Sequence, residues 1–189
     1  AAMLLLTLRG TPTLYYGDEL GLEDVPIPPD RIQDPWGKNL PGFGLGRDPV
    51  RTPMPWTGEP GGGFTTGDPW LPFGPDLATR NVMVEERDPG SMLRLYRRLI
   101  ALRRREPALS LGEYGAIEAA GEVLRYERVC GPRRLLVLLN LGNREASVPL
   151  PRAAALRIAL SSEADRAGMT VAGEILLRPA EGVVLAPAA

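Results

Sequence analysis

The sequence predicts an α/β segment followed by an antiparallel β domain, and three observations carry that prediction. The first residues run helix, turn, strand, the rhythm of an α/β unit. One long amphipathic helix closes a long irregular stretch. Beyond that helix, short apolar runs alternate with turn residues at the spacing of a β sandwich.

In order along the chain, Ala1-Ala2-Met3-Leu4-Leu5-Leu6-Thr7-Leu8 is apolar but far short of the roughly 20 residues that a membrane span needs. It has no basic leader and reads as part of a buried helix. Core-like residues with two alanines and no initiator methionine at the start are expected of a cut boundary. Arg9-Gly10-Thr11-Pro12 is a turn, and Thr13-Leu14-Tyr15-Tyr16 is a short β-branched and aromatic strand closed by Gly17. Residues 22–87 are rich in Pro, Gly and Asp and hold no sustained period of either kind. Loops of this length are usually functional or disordered, and Trp36, Phe43, Trp56, Phe64, Trp70 and Phe73 argue for order.

The best helix is expected to be capped by Asp88, with Pro89 at its first position. Met92, Leu95, Tyr96, Leu99, Ile100 and Leu102 form its apolar stripe, while Arg94, Arg97 and Arg98 face water. Arg103-Arg104-Arg105 sits where the helix macrodipole favours cations, and the helix should stop before Pro107. Strands are then expected at 113–118, 123–129, 135–141, 147–150, 156–160, 174–177 and 183–186, within a β domain from about residue 110.

Composition excludes whole classes of function. With 22 basic and 23 acidic residues there is no electrostatic footprint for nucleic acid or an anionic membrane. No histidine and a single cysteine leave no histidine or thiolate metal site and no internal disulfide, so neither metal nor cofactor is expected. Cys130 fits a reducing cytoplasm. Glycoside hydrolysis needs two carboxyl groups facing one sugar. The adjacent pairs Asp18-Glu19 and Glu85-Glu86 would point to opposite sides of an extended segment. Gly61-Gly62-Gly63 lacks the lysine and helix of a phosphate loop.

Several ordered motifs carry a resemblance. Gly10-Thr11-Pro12-Thr13-Leu14-Tyr15-Tyr16-Gly17-Asp18-Glu19-Leu20-Gly21, then Gly46-Arg47-Asp48-Pro49-Val50-Arg51-Thr52-Pro53-Met54-Pro55-Trp56, then Gly63 to Trp70 resemble, in that order, α-glucosidases of glycoside hydrolase family 13, the α-amylase superfamily. The match is to the maltase and oligo-1,6-glucosidase type, although Pro55 departs from the glutamine of the latter branch and leaves the linkage open. The resemblance implies the last strand and helix of a TIM-type (β/α)8 barrel over residues 1–108 and a C-terminal antiparallel β domain over 109–189. It implies a role for Arg51 in contacting glucose, with Arg47 and Asp48 shaping the loop.

The family's nucleophilic aspartate, acid/base glutamate and His-Asp pair would all lie upstream of Ala1. No catalytic residue is therefore assigned here. The expected partners are a small α-glucoside or oligosaccharide and the upstream half of the same enzyme, in the cytoplasm, and the isolated chain is expected to be inactive. Three readings stay open beside hydrolysis: a non-catalytic carbohydrate-binding module, a hydrolase-like interaction module, and a fragment of a glucoside isomerase or transglycosylase. The residues alone also allow a duller role for Arg51 and Asp48, an ion pair pinning the loop, and for Trp56 and Trp70, packing anchors rather than sugar platforms.

Overall fold

In the computed structural model, residues 1–151 and 155–188 are described. The chain forms two compact units, one of Ala1–Thr13 with Leu95–Ala189 and the other of Leu14–Arg94.

The first unit is organised by a sheet whose central strands are buried on both faces. Its strands are β1 (Glu113–Ala120), β2 (Val123–Cys130), β3 (Arg133–Asn140), β4 (Ala146–Pro149), β5 (Leu156–Ser161), β6 (Thr170–Val171), β7 (Glu174–Leu177) and β8 (Gly182–Pro187). Six of them form an antiparallel sheet in the order β1-β2-β3-β8-β5-β6, and β4 pairs with β7 in a second, two-stranded sheet. Side chains alternate along a strand, so Leu135, Val137 and Leu139 of β3 enter one core and Leu136 and Leu138 the other. That is why β3 and β8 read as continuous apolar runs.

One core lies against helices α1 (Ala2–Thr7), α4 (Met92–Arg105) and α5 (Pro107–Ser110), contributed by Met3, Leu6, Leu95, Leu99, Leu102 and Leu109. The other is closed by Val148, Ile175 and Leu177 of the small sheet. Each fully buried Leu or Val contributes about 1.5–3 kcal/mol. β5 serves both cores because its register slips between Ile158 and Leu160. With one extra residue in the strand, Ile158 faces the small sheet and Leu160 the helices. The β1–β2 and β2–β3 turns each place a glycine at positive φ, Gly121 at 57° and Gly131 at 56°, as tight two-residue hairpins require.

Two arginines fasten the end of α1. A helix leaves its last carbonyls without intrahelical partners. Arg103 donates to the carbonyls of Leu6 and Leu8, each at 2.9 Å, and Arg128, fully buried, donates to those of Thr7 and Gly112. The Thr7 hydroxyl gives its one proton to the Met3 carbonyl at 2.6 Å, so the buried Tyr126 hydroxyl is the donor in their mutual hydrogen bond. The Arg103 run was expected only at a helix C-terminus; the structure places it there and gives Arg103 this second duty.

In the second unit regular structure is sparse. It holds α2 (Pro35–Asn39), α3 (Val82–Glu85) and 3-10 turns at Asp18–Leu20, Pro29–Arg31 and Asp48–Val50.

Three expectations are corrected. Thr13–Tyr16 forms no strand: Thr13–Tyr15 has no regular structure and Tyr16 lies in a turn, because ladder hydrogen bonds need a neighbour and no strand is assigned in residues 14–94. Leu14, Tyr15 and Tyr16 are exposed. The long helix starts at Met92, not Pro89: the Ser91 hydroxyl accepts from Arg94 N at 3.2 Å, whereas Asp88 caps only the local turn at Gly90. Starting there leaves Met92 exposed and buries Leu93 instead. Finally, Arg98 is half-buried rather than facing water.

Candidate functional site

The predicted site residues lie on the stretch 47–51, and what positions them is a knot of backbone and carboxylate contacts. Asp34 precedes Pro35 at the start of α2, where its side chain accepts from Trp36 N at 3.2 Å as a helix N-cap does. The same carboxylate is fully buried and receives Arg47 three times, from its backbone N and Nε at 2.7 Å and from Nη2 at 2.9 Å. Charge-assisted, two-pronged bonding of this kind is strong and directional. The hydrogen bonds from Arg47 hold the Asp34 carboxyl well below the usual carboxylate range, against the opposing effect of burial.

Asp48, buried at 4% exposure, completes the knot from the other side: its Oδ2 accepts the backbone N–H groups of Gln33 at 2.6 Å and Asp34 at 2.8 Å. Its carbonyl then accepts from Arg51 N at 2.9 Å, closing the 3-10 turn that presents Arg51. Asp48 is thus occupied by backbone, not by the Arg51 side chain. The duller ion-pair reading of Arg51 with Asp48 does not describe this geometry. Arg51 is exposed, and among the described residues its guanidinium makes no hydrogen bond or ion pair.

Next to Arg51 stand two tyrosines, their ring centroids 4.9 Å apart and tilted by 40°. The Tyr16 hydroxyl donates to the Thr52 carbonyl at 3.0 Å and so ties the Tyr15-Tyr16 segment to the loop. Partial burial, and then Tyr15, push the Tyr16 hydroxyl up, while the positive charge of Arg51 pulls it down. A cleft of about 130 Å³ opens here between Tyr15, Tyr16, Asp18, Asp24, Val50 and Thr52. A larger one of about 270 Å³ lies across Leu22–Asp24, reaching Phe73, Leu77 and Arg80.

The arrangement can grip polar groups. Tyrosine hydroxyls, carboxylates and a free guanidinium suit a polyol. It lacks a facing acid pair. Asp18 Oδ2 accepts from Tyr15 N at 3.2 Å and Glu19 Oε2 from Gly17 N at 2.8 Å, so both carboxylates close their own turn. Glu85 is raised from its ordinary value by burial, as a general acid would be, but its Oε2 accepts from Leu93 N at 3.0 Å and caps α4. Among the described residues no group of three or more His, Cys, Asp or Glu is placed to hold a metal ion, and no helix is long and apolar enough to cross a membrane.

Sequence reasoning singled out Arg47, Asp48 and Arg51 but missed Asp34 and the Tyr16–Thr52 tie. The signal for Asp34 was an Asp-Pro start of a helix inside an otherwise patternless loop. Nothing in the sequence pairs it with Arg47. Trp36, Trp56 and Trp70 are about half exposed or more, at 53%, 49% and 68%, so none is a fully buried packing anchor.

A family model described as the α-amylase catalytic domain matches residues 1–112. The chain belongs to the α-amylase family. Its fold is accordingly the last portion of a barrel followed by an antiparallel β domain. This α-amylase-family chain is 41% identical over 151 residues to a probable α-glucosidase of Rhizobium meliloti, covering 79% of the chain and 27% of that protein. It is 32% identical over 192 residues to an amino acid transporter heavy chain of Rattus norvegicus, covering 97% of the chain and 27% of the relative. Among solved structures it is similar to the trehalulose synthase MutB of Pseudomonas mesoacidophila, with a TM-score of 0.84, 30% identity, and coverage of 98% of this chain and 37% of that one. The chain therefore spans under a third of the length of these two sequence relatives.

Proposed function

We propose that the chain supplies the substrate-side loop of a retaining α-glucosidase acting on short α-linked glucosides, with Arg51 contacting the sugar and Arg47 and Asp48 holding the loop. The observation that carries this reading is the contrast within that loop: Arg47 and Asp48 are engaged, and the Arg51 guanidinium has no hydrogen bond or ion pair among the described residues. A guanidinium so placed donates charge-assisted hydrogen bonds to sugar hydroxyls or to a nearby carboxylate, each worth about 1.5–3 kcal/mol.

The proposed division of labour follows from what the site holds. Residues 1–108 belong to the barrel and 109–189 to the β domain, a reading supported by the end of the family match at residue 112. The nucleophile and acid/base come from an upstream half, which is the proposed partner, and the isolated chain turns nothing over. Cytoplasmic location is proposed from the lone Cys130. A second reading, a hydrolase-like interaction module, is favoured by the similarity to the transporter heavy chain. Similarity to a trehalulose synthase likewise supports a glucoside-isomerising or transferring parent.

The test is Arg51→Ala in the reconstituted or parent enzyme. The expected result is a fall of about 10- to 160-fold in kcat/KM on maltose, from the 1.5–3 kcal/mol above at 1.36 kcal/mol per decade, with thermal stability unchanged. An unchanged kcat/KM would remove Arg51 from the site and favour the non-catalytic reading.

A further inference from the structure

In the unit built on the large sheet, a hollow of about 240 Å³ lies between α4 and β5. Arg98, Ala101 and Arg105 share one face of α4, spaced three and four residues apart. Ala159, Leu160 and Ser161 of β5 and Ala167 complete the lining. Small residues on both walls leave the space unfilled.

What distinguishes this hollow is the state of its cations. Nε and Nη2 of Arg98 are buried and have no hydrogen-bond acceptor among the described residues. A buried donor without an acceptor costs about 1–3 kcal/mol, more when charged. Arg105 stands about two helical turns further on, is exposed, and lines the same hollow. No carboxylate lines the hollow.

The acids of the same unit that could have answered are engaged elsewhere. Glu106 takes Arg133 at 2.7 and 2.8 Å. Glu181 takes Arg166 at 2.6 Å and the Ser161 hydroxyl at 2.8 Å. Glu163 and Asp165 face Arg178 at 3.7 and 2.7 Å. The Ser161 hydroxyl, having given its proton to Glu181, accepts from Glu163 N at 2.9 Å, so it does not serve Arg98 either.

We propose that the hollow between α4 and β5 is a binding site for a phosphate-class oxyanion, held by the Arg98 guanidinium with Arg105 closing over it. Two guanidiniums present forked donors that match the oxygens of a phosphate or phosphoryl group. The site is separate from the sugar-loop reading and does not depend on it. Free phosphate and the phosphoryl group of a sugar phosphate share this chemistry.

The experiment is a thermal melt of the full 189-residue chain titrated with inorganic phosphate, with glucose 6-phosphate, and with sodium chloride at matched ionic strength. Phosphate at ten times its dissociation constant should raise the midpoint by about 3–6 °C over chloride. Arg98→Met should abolish the shift, and Arg105→Gln, at an exposed position, should weaken the anion several-fold without changing the anion-free midpoint. A shift with glucose 6-phosphate alone would assign the site to a phosphorylated sugar. No saturable rise over chloride with either anion, or the same rise in both variants, would overturn the proposal.

Discussion

Each of the two units of this chain relies chiefly on a different kind of interaction within itself. Around the large sheet, stability comes from apolar burial: Val137, Leu138, Ile158, Leu177, Val183, Val184 and Leu185 are wholly hidden. In residues 14–94 the pins are polar, and Asp34, Asp48, Arg80 and Asn81 do through carboxylates, guanidinium and amide what leucines do in the sheet. Burial is non-directional and tolerates repacking, whereas each polar pin depends on one named partner. A loop that must present exposed tyrosines, tryptophans and an arginine cannot be covered by an apolar core. It is fixed from beneath instead.

The sharpest way to break this comparison is to remove burial from the sheet. Leu138→Ala, at 0% exposure between the two sheets, should lower stability by about 2–5 kcal/mol in a denaturant melt. A much smaller loss would mean that the sheet does not depend on that core. Of the middle-sized changes, Ser91→Ala should cost about 1 kcal/mol, and Asp88→Ala distinctly less, because of these two side chains Ser91 receives an α4 backbone N–H and Asp88 receives only that of Gly90. Equal losses would restore Asp88 as the cap.

The smallest effect on the global melt belongs to the polar knot. Asp34→Asn should leave the sheet's transition in place and yet speed proteolysis between residues 34 and 47, since the bonds to Arg47 would lose their charge. Acid should do the same to the unaltered chain. Because the folded Asp34 carboxyl lies below its unfolded value of about 3.9, its contribution is complete above that pH and is lost as the pH falls below it. Glu85 works in the opposite direction: burial raises its carboxyl, so the folded state favours its protonated form and the penalty grows as pH rises through the ordinary glutamate range. Cleavage that is insensitive to both acid and Asp34→Asn would dissolve the contrast between the units.

The same contrast explains what could be read from residues alone. The run Leu135–Leu139 announces a strand because both faces are covered, and the stripe Leu95, Tyr96, Leu99, Leu102 announces a helix because one face is. Periodicity reports burial. The bulge in β5 was not legible, since Ile158 and Leu160 look like same-face neighbours until the register slips. Asp34 was invisible as a partner of Arg47 because the two meet across a stretch without period, and pairing is a property of the folded loop. Thr13–Tyr16 has strand composition without strand pairing, composition being local and a ladder being shared.

The central proposal is that this chain contributes a sugar-holding loop and that the bond-breaking groups reside in another polypeptide segment. Glucose release from maltose should be measured for the chain alone, for the separately produced upstream half of its parent, and for the two mixed. The account predicts turnover in the mixture and none in either part. Glucose released by the 189-residue chain on its own would contradict it.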